Sequence, residues 1–122
     1  MNIYQRHGAR VKIATAADFN GTRWTNTAVM LPVPRGRSYL MPAGSIAGLF
    51  KHHNGTHGVA VKSAPAGLDI AASRAGDKLY LHVANLNYGR SVEASFPGMR
   101  SGRVFEIAPE DLRTYVNQDR TD

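Results

Sequence analysis

The sequence predicts an all-β protein: an antiparallel β-sandwich of jelly-roll-like form, with one or two short helices. Three observations carry this. Short apolar or alternating segments recur at intervals of roughly ten residues, the spacing of strands in a sandwich or barrel. Gly, Pro and Asn turn signals separate them, and a helical period of apolar residues is confined to residues 42–53. At 122 residues, 43% of them hydrophobic and 20% charged, the chain sits in the globular range and is expected to form one domain over 1–122.

Taken in order, residues 2–7 suit the last turn of a helix that stops at Gly8. Residues 10–15 alternate polar and apolar side chains and are expected to form a half-buried strand. A polar loop containing Asn20-Gly21 follows, then a more buried strand at 27–31, closed by Pro32 and Pro34. After a short extended piece at 38–41, Pro42 opens a helix in which Ile46, Leu49 and Phe50 share one face. Lys51, His52 and His53 fall in its last turn, beside the negative end of the helix dipole. Strands are then expected at 58–62, 68–74, 78–86, 91–96 and 102–107, and a short helix from Pro109 to Val116. Between the second and third of these, Ala75-Gly76-Asp77 supplies a hairpin turn with a glycine free to take positive φ. The apolar phase of these elements places Val29, Leu31, Leu49, Phe50, Val61, Leu79, Leu81, Val83 and Phe105 in the core.

No apolar run approaches the ~20 residues needed to span a bilayer, and the first residues lack the apolar segment of a signal peptide. As written, the chain is expected to be soluble, cytoplasmic and without a membrane partner. It has no cysteine, which excludes disulfides, thiolate metal sites and a thiol nucleophile. The net charge of +6 favours weak adhesion to polyanions, but the fifteen Lys and Arg are scattered and no nucleic-acid-binding signature accompanies them. A generally basic surface accounts for them better than a nucleic-acid face.

Two stretches, NIYQRHGARVKIATAADFN (2–20) and AVMLPVPRGRSYLMPAGSIAGLFKHHNG (28–55), together with GDKLYLHVANLNYGRSVEASF (76–96), resemble the C-terminal region of clan A glycoside hydrolases. The nearest likeness is to α-L-arabinofuranosidases of family 51. In that resemblance residues 1–20 correspond to the last helix and strand of a catalytic barrel, and 28–122 to the β-sandwich that follows it. The family's two catalytic carboxylates lie on barrel strands before this segment, so the resemblance implies a chain without a complete active site. It also puts Asp18 where the family carries a polar amide near its sugar site.

Candidate sites read directly from the residues are few. Glycoside cleavage needs two carboxylates about 5–5.5 Å apart for retention or about 6.5–9.5 Å for inversion. Of the nine acids, Asp18 and Asp69 are the two without an immediate structural explanation. His53, His57 and His82 are the histidines that could converge on a metal ion, but His52 and His53 are adjacent, diverge by about 100° on a helix, and fit a basic C-terminus better. Carbohydrate modules stack sugar faces on exposed aromatic rings, and Trp24, Tyr39 and Tyr88 are the aromatics least suited to a core.

The expected function is therefore that of a non-catalytic accessory domain of an arabinofuranosidase-like hydrolase, supporting a barrel or binding plant polysaccharide, with no cofactor. The alternative is a small stand-alone carbohydrate-active enzyme, hydrolytic through Asp18 and Asp69 or metal-dependent through the clustered histidines. A domain that has lost the barrel it packs against exposes an apolar surface, and self-association through one patch closes by two-fold symmetry. Light scattering at micromolar concentration is expected to give twice the 13.3 kDa chain mass; the monomer mass would show that the surface is covered within one chain.

Overall fold

A computed structural model of the chain describes residues 1–15, 18–22, 27–87, 89–109, 116 and 119. Among these residues the elements run α1 (Asn2–Arg6), β1 (Asn20–Gly21), β2 (Val29–Met30), β3 (Tyr39–Leu40), α2 (Pro42–His52), β4 (His57–Val59), β5 (Leu68–Ala75) and β6 (Lys78–Asn85). They make a small β-rich fold with two three-stranded sheets, ordered β1-β2-β3 and β4-β5-β6, and two short helices. The chain divides into two compact units, one built from residues 1–14 and 53–103 and the other from 15–52 and 104–122.

The first unit is organised by the β5–β6 hairpin, an antiparallel ladder whose register runs from Leu68 opposite Asn85 to Ala75 opposite Lys78. Gly76 and Asp77 form the two-residue loop. Gly76 has φ +56 and Asp77 is not among the residues with positive φ, the arrangement of a type II′ turn, whose twist matches that of the strands it joins. β5 is central, with β4 paired on its other edge through Val59 opposite Ala72. Its residues Ile70, Ala71, Ala72 and Ser73 are all buried, so both of its faces are covered. This explains why LDIAASRA is nearly continuous in small and apolar residues rather than alternating.

In the second unit, β1 pairs in parallel with β2 and β2 antiparallel with β3. Ala28, Met30 and Met41 are the buried apolar side chains, beside the buried Thr27. The entry to α2 is tied to β2 by Met41, whose N–H donates to the Ala28 carbonyl at 2.9 Å. Gly44, one turn into α2, lies against that same carbonyl, and a Cβ there would overlap it. The glycine in PAGS is thus the condition for the helix to approach the strand. Gly48, one turn further on, has no atom of the described residues, its own helix backbone aside, within 4 Å of the position a Cβ would take.

Several expectations are corrected. Residues 10–15, 91–96 and 102–107 form no strand. Alternation makes a segment suitable for a sheet edge, but a strand also needs a partner; Ile13 is 82% exposed and Val104 90%. Asn20–Gly21, read as loop, instead contributes a strand. The expected core was also mis-phased. In β2 the buried set is Ala28 and Met30 rather than Val29 and Leu31, the one-residue shift that turns every side chain to the opposite face. Leu31, Val61, Leu79, Val83 and Phe105 are exposed, and Val29, Leu49, Phe50 and Leu81 are half-buried. The expected helix at 109–116 lies almost wholly outside the described residues.

The two helical glycines are expected to respond oppositely to alanine. Gly48→Ala should stabilise by about 0.5–1 kcal/mol, the ordinary helix gain. Gly44→Ala should destabilise by about 1–3 kcal/mol through overpacking against β2. Chemical denaturation of the two variants measures both; a stabilised Gly44→Ala would show that α2 can move away from β2 without loss.

Candidate functional site

In the second unit a polar cleft of about 310 Å³ is lined by Asp18, Asn20, Gly21, Thr22 and Thr27. The backbone builds it in a few steps. Asp18 has φ +51, the left-handed region that Asp and Asn enter more readily than other side-chain-bearing residues, and this turns the chain into β1. The Phe19 carbonyl then accepts from the N–H groups of Ala28 and Val29 at 2.9 and 3.0 Å, and the Gly21 carbonyl from Leu31 at 2.7 Å. These bonds set β1 beside β2 and bring the lining residues of 18–22 next to Thr27. A carboxylate, a carboxamide and two hydroxyls around an open cleft can bond a neutral polyhydroxylated ligand, each group serving as acceptor or donor to a hydroxyl. The volume is at the small end of the roughly 300–1,000 Å³ usual for small-molecule sites.

In the first unit, α1 lies on one face of the β5–β6 sheet through polar contacts. Asn2 is buried, and its Nδ2 donates to the carbonyls of Asp69 and His82 at 3.0 and 3.2 Å. One turn on, the Gln5 amide joins His82 Nδ1 (2.9 Å) to Asn54 Oδ1 (2.6 Å). His82 Nε2 donates to the His53 carbonyl at 2.7 Å. Asn54 Oδ1 accepts from Ser73 Oγ at 2.9 Å, and Ser73 Oγ in turn accepts the Gly55 N–H at 2.9 Å. Arg6 pairs with Asp69 and also donates to the Ile70 carbonyl. Burial pushes the His82 imidazole below the usual histidine value; its bond to the His53 carbonyl acts in the opposite direction, and the nearby His53 ring again disfavours the charge.

The chain matches no family model, no curated protein and no solved structure. Asp18 lines the cleft and is exposed. Asp69 has the structural explanation that its sequence context lacked, since its carboxylate is engaged by Arg6. His82 uses both ring nitrogens within the α1 seam, and His53 meets it there through its backbone carbonyl. His57 Nδ1 is bonded to Thr56 Oγ1 at 2.9 Å. Among the described residues no group of three or more His, Asp or Glu is placed to hold a metal ion. Tyr39 is half-buried in β3, while Trp24 and Tyr88 lie outside the described residues.

Sequence reasoning missed Asn20, Thr22 and Thr27 around Asp18, and Asn2 and Gln5 on the sheet-facing side of α1. The Asn20-Gly21 dipeptide pointed only to a turn. The one available signal for the seam was the placement of Asn2, Gln5 and Arg6 at i, i+3 and i+4, a single helical face of polar residues.

The buried Asn2 amide should matter more than the Arg6–Asp69 pair. The pair's side chains remain 39% and 28% exposed, and such pairs contribute about 0.2–1 kcal/mol. Asn2→Ala removes the donor to two carbonyls and is expected to cost about 1–3 kcal/mol. Urea denaturation of Asn2→Ala beside Arg6→Ala checks the order, and a larger loss in Arg6→Ala would reverse it.

Proposed function

We propose that this chain is a non-catalytic, β-sandwich-like accessory domain of the arabinofuranosidase-like kind, and that it binds plant polysaccharide through the cleft at Asp18. The observation that carries the reading is the composition of that cleft. Among the described residues, Asp18, Asn20, Thr22 and Thr27 line it with hydrogen-bonding side chains and no lysine or arginine does, which suits a neutral polyol better than a polyanion. Two further features support it. In the sequence, Trp24 falls between the lining residues Thr22 and Thr27, and an indole ring supplies the flat apolar face on which sugars stack. Asp18 also stands at the position for which the resemblance to the hydrolase family implies proximity to a sugar site.

Binding of this kind rests on a few hydrogen bonds and one stacking surface, so it is expected to be weak and insensitive to salt. Asp18 provides the charged acceptor, and hydrogen bonds to charged groups contribute about 1.5–3 kcal/mol. Asp18→Ala is therefore expected to weaken binding of an arabinoxylan oligosaccharide by ten- to a hundredfold, with Thr22→Ala giving a smaller loss. Retention on insoluble arabinoxylan and calorimetry with the oligosaccharide are the measurements. Absence of binding by the parent chain, or hydrolysis of the oligosaccharide at an enzymatic rate, would overturn the proposal.

A further inference from the structure

The residue after Asn54 is set by the fold. Gly55 lies against β5 where a Cβ would overlap the backbone of Arg74, so glycine is required there. That requirement creates an Asn-Gly pair, in which no side chain stands between the glycine nitrogen and the asparagine carboxamide. The surroundings supply the groups that an attack of that nitrogen on the carboxamide needs. The Gly55 N–H donates to Ser73 Oγ at 2.9 Å, and the same hydroxyl donates to Asn54 Oδ1 at 2.9 Å. One hydroxyl thus joins the nitrogen that would attack to the oxygen that would gain charge. Gln5 Nε2 donates to that oxygen as well, at 2.6 Å. Two donors on a carbonyl oxygen stabilise the charge that develops there during addition. Asn54 is exposed, so water reaches it, whereas Ser73 is buried in β5.

We propose that Asn54-Gly55 is a self-modification site, at which Ser73 relays a proton and Asn54 is converted through a cyclic imide to aspartate and isoaspartate. The Gly55 nitrogen forms a bond to Asn54 Cγ; its proton passes to Ser73 Oγ as the Ser73 proton passes to Oδ1. The tetrahedral centre then collapses: the Cγ–Nδ2 bond breaks, the hydroxyl proton moves to Nδ2, and ammonia leaves. Water opens the resulting ring at either carbonyl. Opening at Cγ gives aspartate, and opening at the main-chain carbonyl of residue 54 leaves the chain linked through Cγ, as isoaspartate. Water is the one co-reactant, and nothing is oxidised or reduced. The isoaspartate adds an atom to the main chain between His53, whose carbonyl is held by His82, and Gly55, which lies against Arg74. Conversion therefore works against the attachment of the 53–55 turn to β5 and β6.

The other Asn-Gly pair with a described structure provides the contrast. Asn20 and Gly21 lie in β1, in parallel register with Val29 and Met30, and the Gly21 carbonyl accepts from Leu31 at 2.7 Å. Drawing the Gly21 nitrogen onto the Asn20 side chain would break the pairing of β1 with β2. The same dipeptide is thus poised for reaction in one place and withheld from it in the other.

Mass spectrometry of tryptic peptides from the full chain, aged at neutral pH, tests this. Residues 13–23 and 52–62 form tryptic peptides that hold Asn20 and Asn54 as their only asparagines. In the folded chain Asn54 is expected to convert faster than Asn20 by about tenfold or more, and in guanidinium the two are expected to convert at similar rates. Ser73→Ala is expected to slow Asn54 by about tenfold or more, since a placed proton carrier contributes at least that much. The relay consumes no hydroxide, so the folded Asn54 rate is expected to stay nearly level from about pH 6 to about pH 8, while the unfolded rate rises. A folded Asn20 rate equal to or above that of Asn54 overturns the proposal, as does a lead of Asn54 that persists in guanidinium. An Asn54 rate unchanged or raised in Ser73→Ala, or a folded rate that climbs with pH as steeply as the unfolded one, also overturns it. The parent chain decides the matter alone if the variant does not fold.

Discussion

The β5–β6 ladder is the constraint on which its unit depends. Eight residue pairs joined by a two-residue turn fix the register, and the register in turn fixes which side chains share a face. Because Ala71 stands opposite His82, Asp69, Ser73 and His82 emerge together on the face that receives α1. A slip of β6 by one residue would turn His82 to the opposite face and set Leu81 or Val83 beside Asp69 and Ser73. The docking of α1, the attachment of the 53–55 turn and the pairing of β4 all presuppose this one alignment. Gly76 secures it at the turn, where positive φ is needed and any β-carbon would be strained.

What holds α1 in place is unusual in its balance. A five-residue helix is too short to be stable alone, so its conformation comes from what it touches. Its outward residues Ile3 and Tyr4 remain more than half exposed, and the inward face is polar. Apolar burial therefore contributes little on this face, and hydrogen-bond satisfaction decides the fit. Among the described residues no buried side-chain nitrogen or oxygen lacks a partner. Such a network is specific because each member must be satisfied by the others.

The second unit depends on close approach. Small residues, Ala28 and Gly44, let α2 and β2 meet at backbone distance, and Met30 and Met41 fill the space beside them. The short β1 strand is then pinned along β2, which leaves Asp18, Asn20 and Thr22 projecting at its ends around a cleft. The proposed sugar site is thus a product of strand pairing rather than of a sequence motif, and among the described residues its chemistry is that of neutral donors and acceptors around the Asp18 carboxylate.

The sequence by itself determined the local elements whose signals are complete within a few residues. The helix from Pro42, the two long strands at 68–75 and 78–85 and the Gly76 turn were all legible, because period, proline geometry and glycine φ are local properties. It also showed that cysteine chemistry is absent and that the positive charge is dispersed. Tertiary structure alone decided which alternating segments found a partner, so residues 10–15, 91–96 and 102–107 carry a strand pattern without a strand. It decided the phase of β2, where Met30 rather than Val29 faces inward, and the engagement of Asp69 by Arg6 from 63 residues away. Pairing, facing and ion-pair choice are set by contacts distant in the chain, and no window of sequence holds both partners of such a contact.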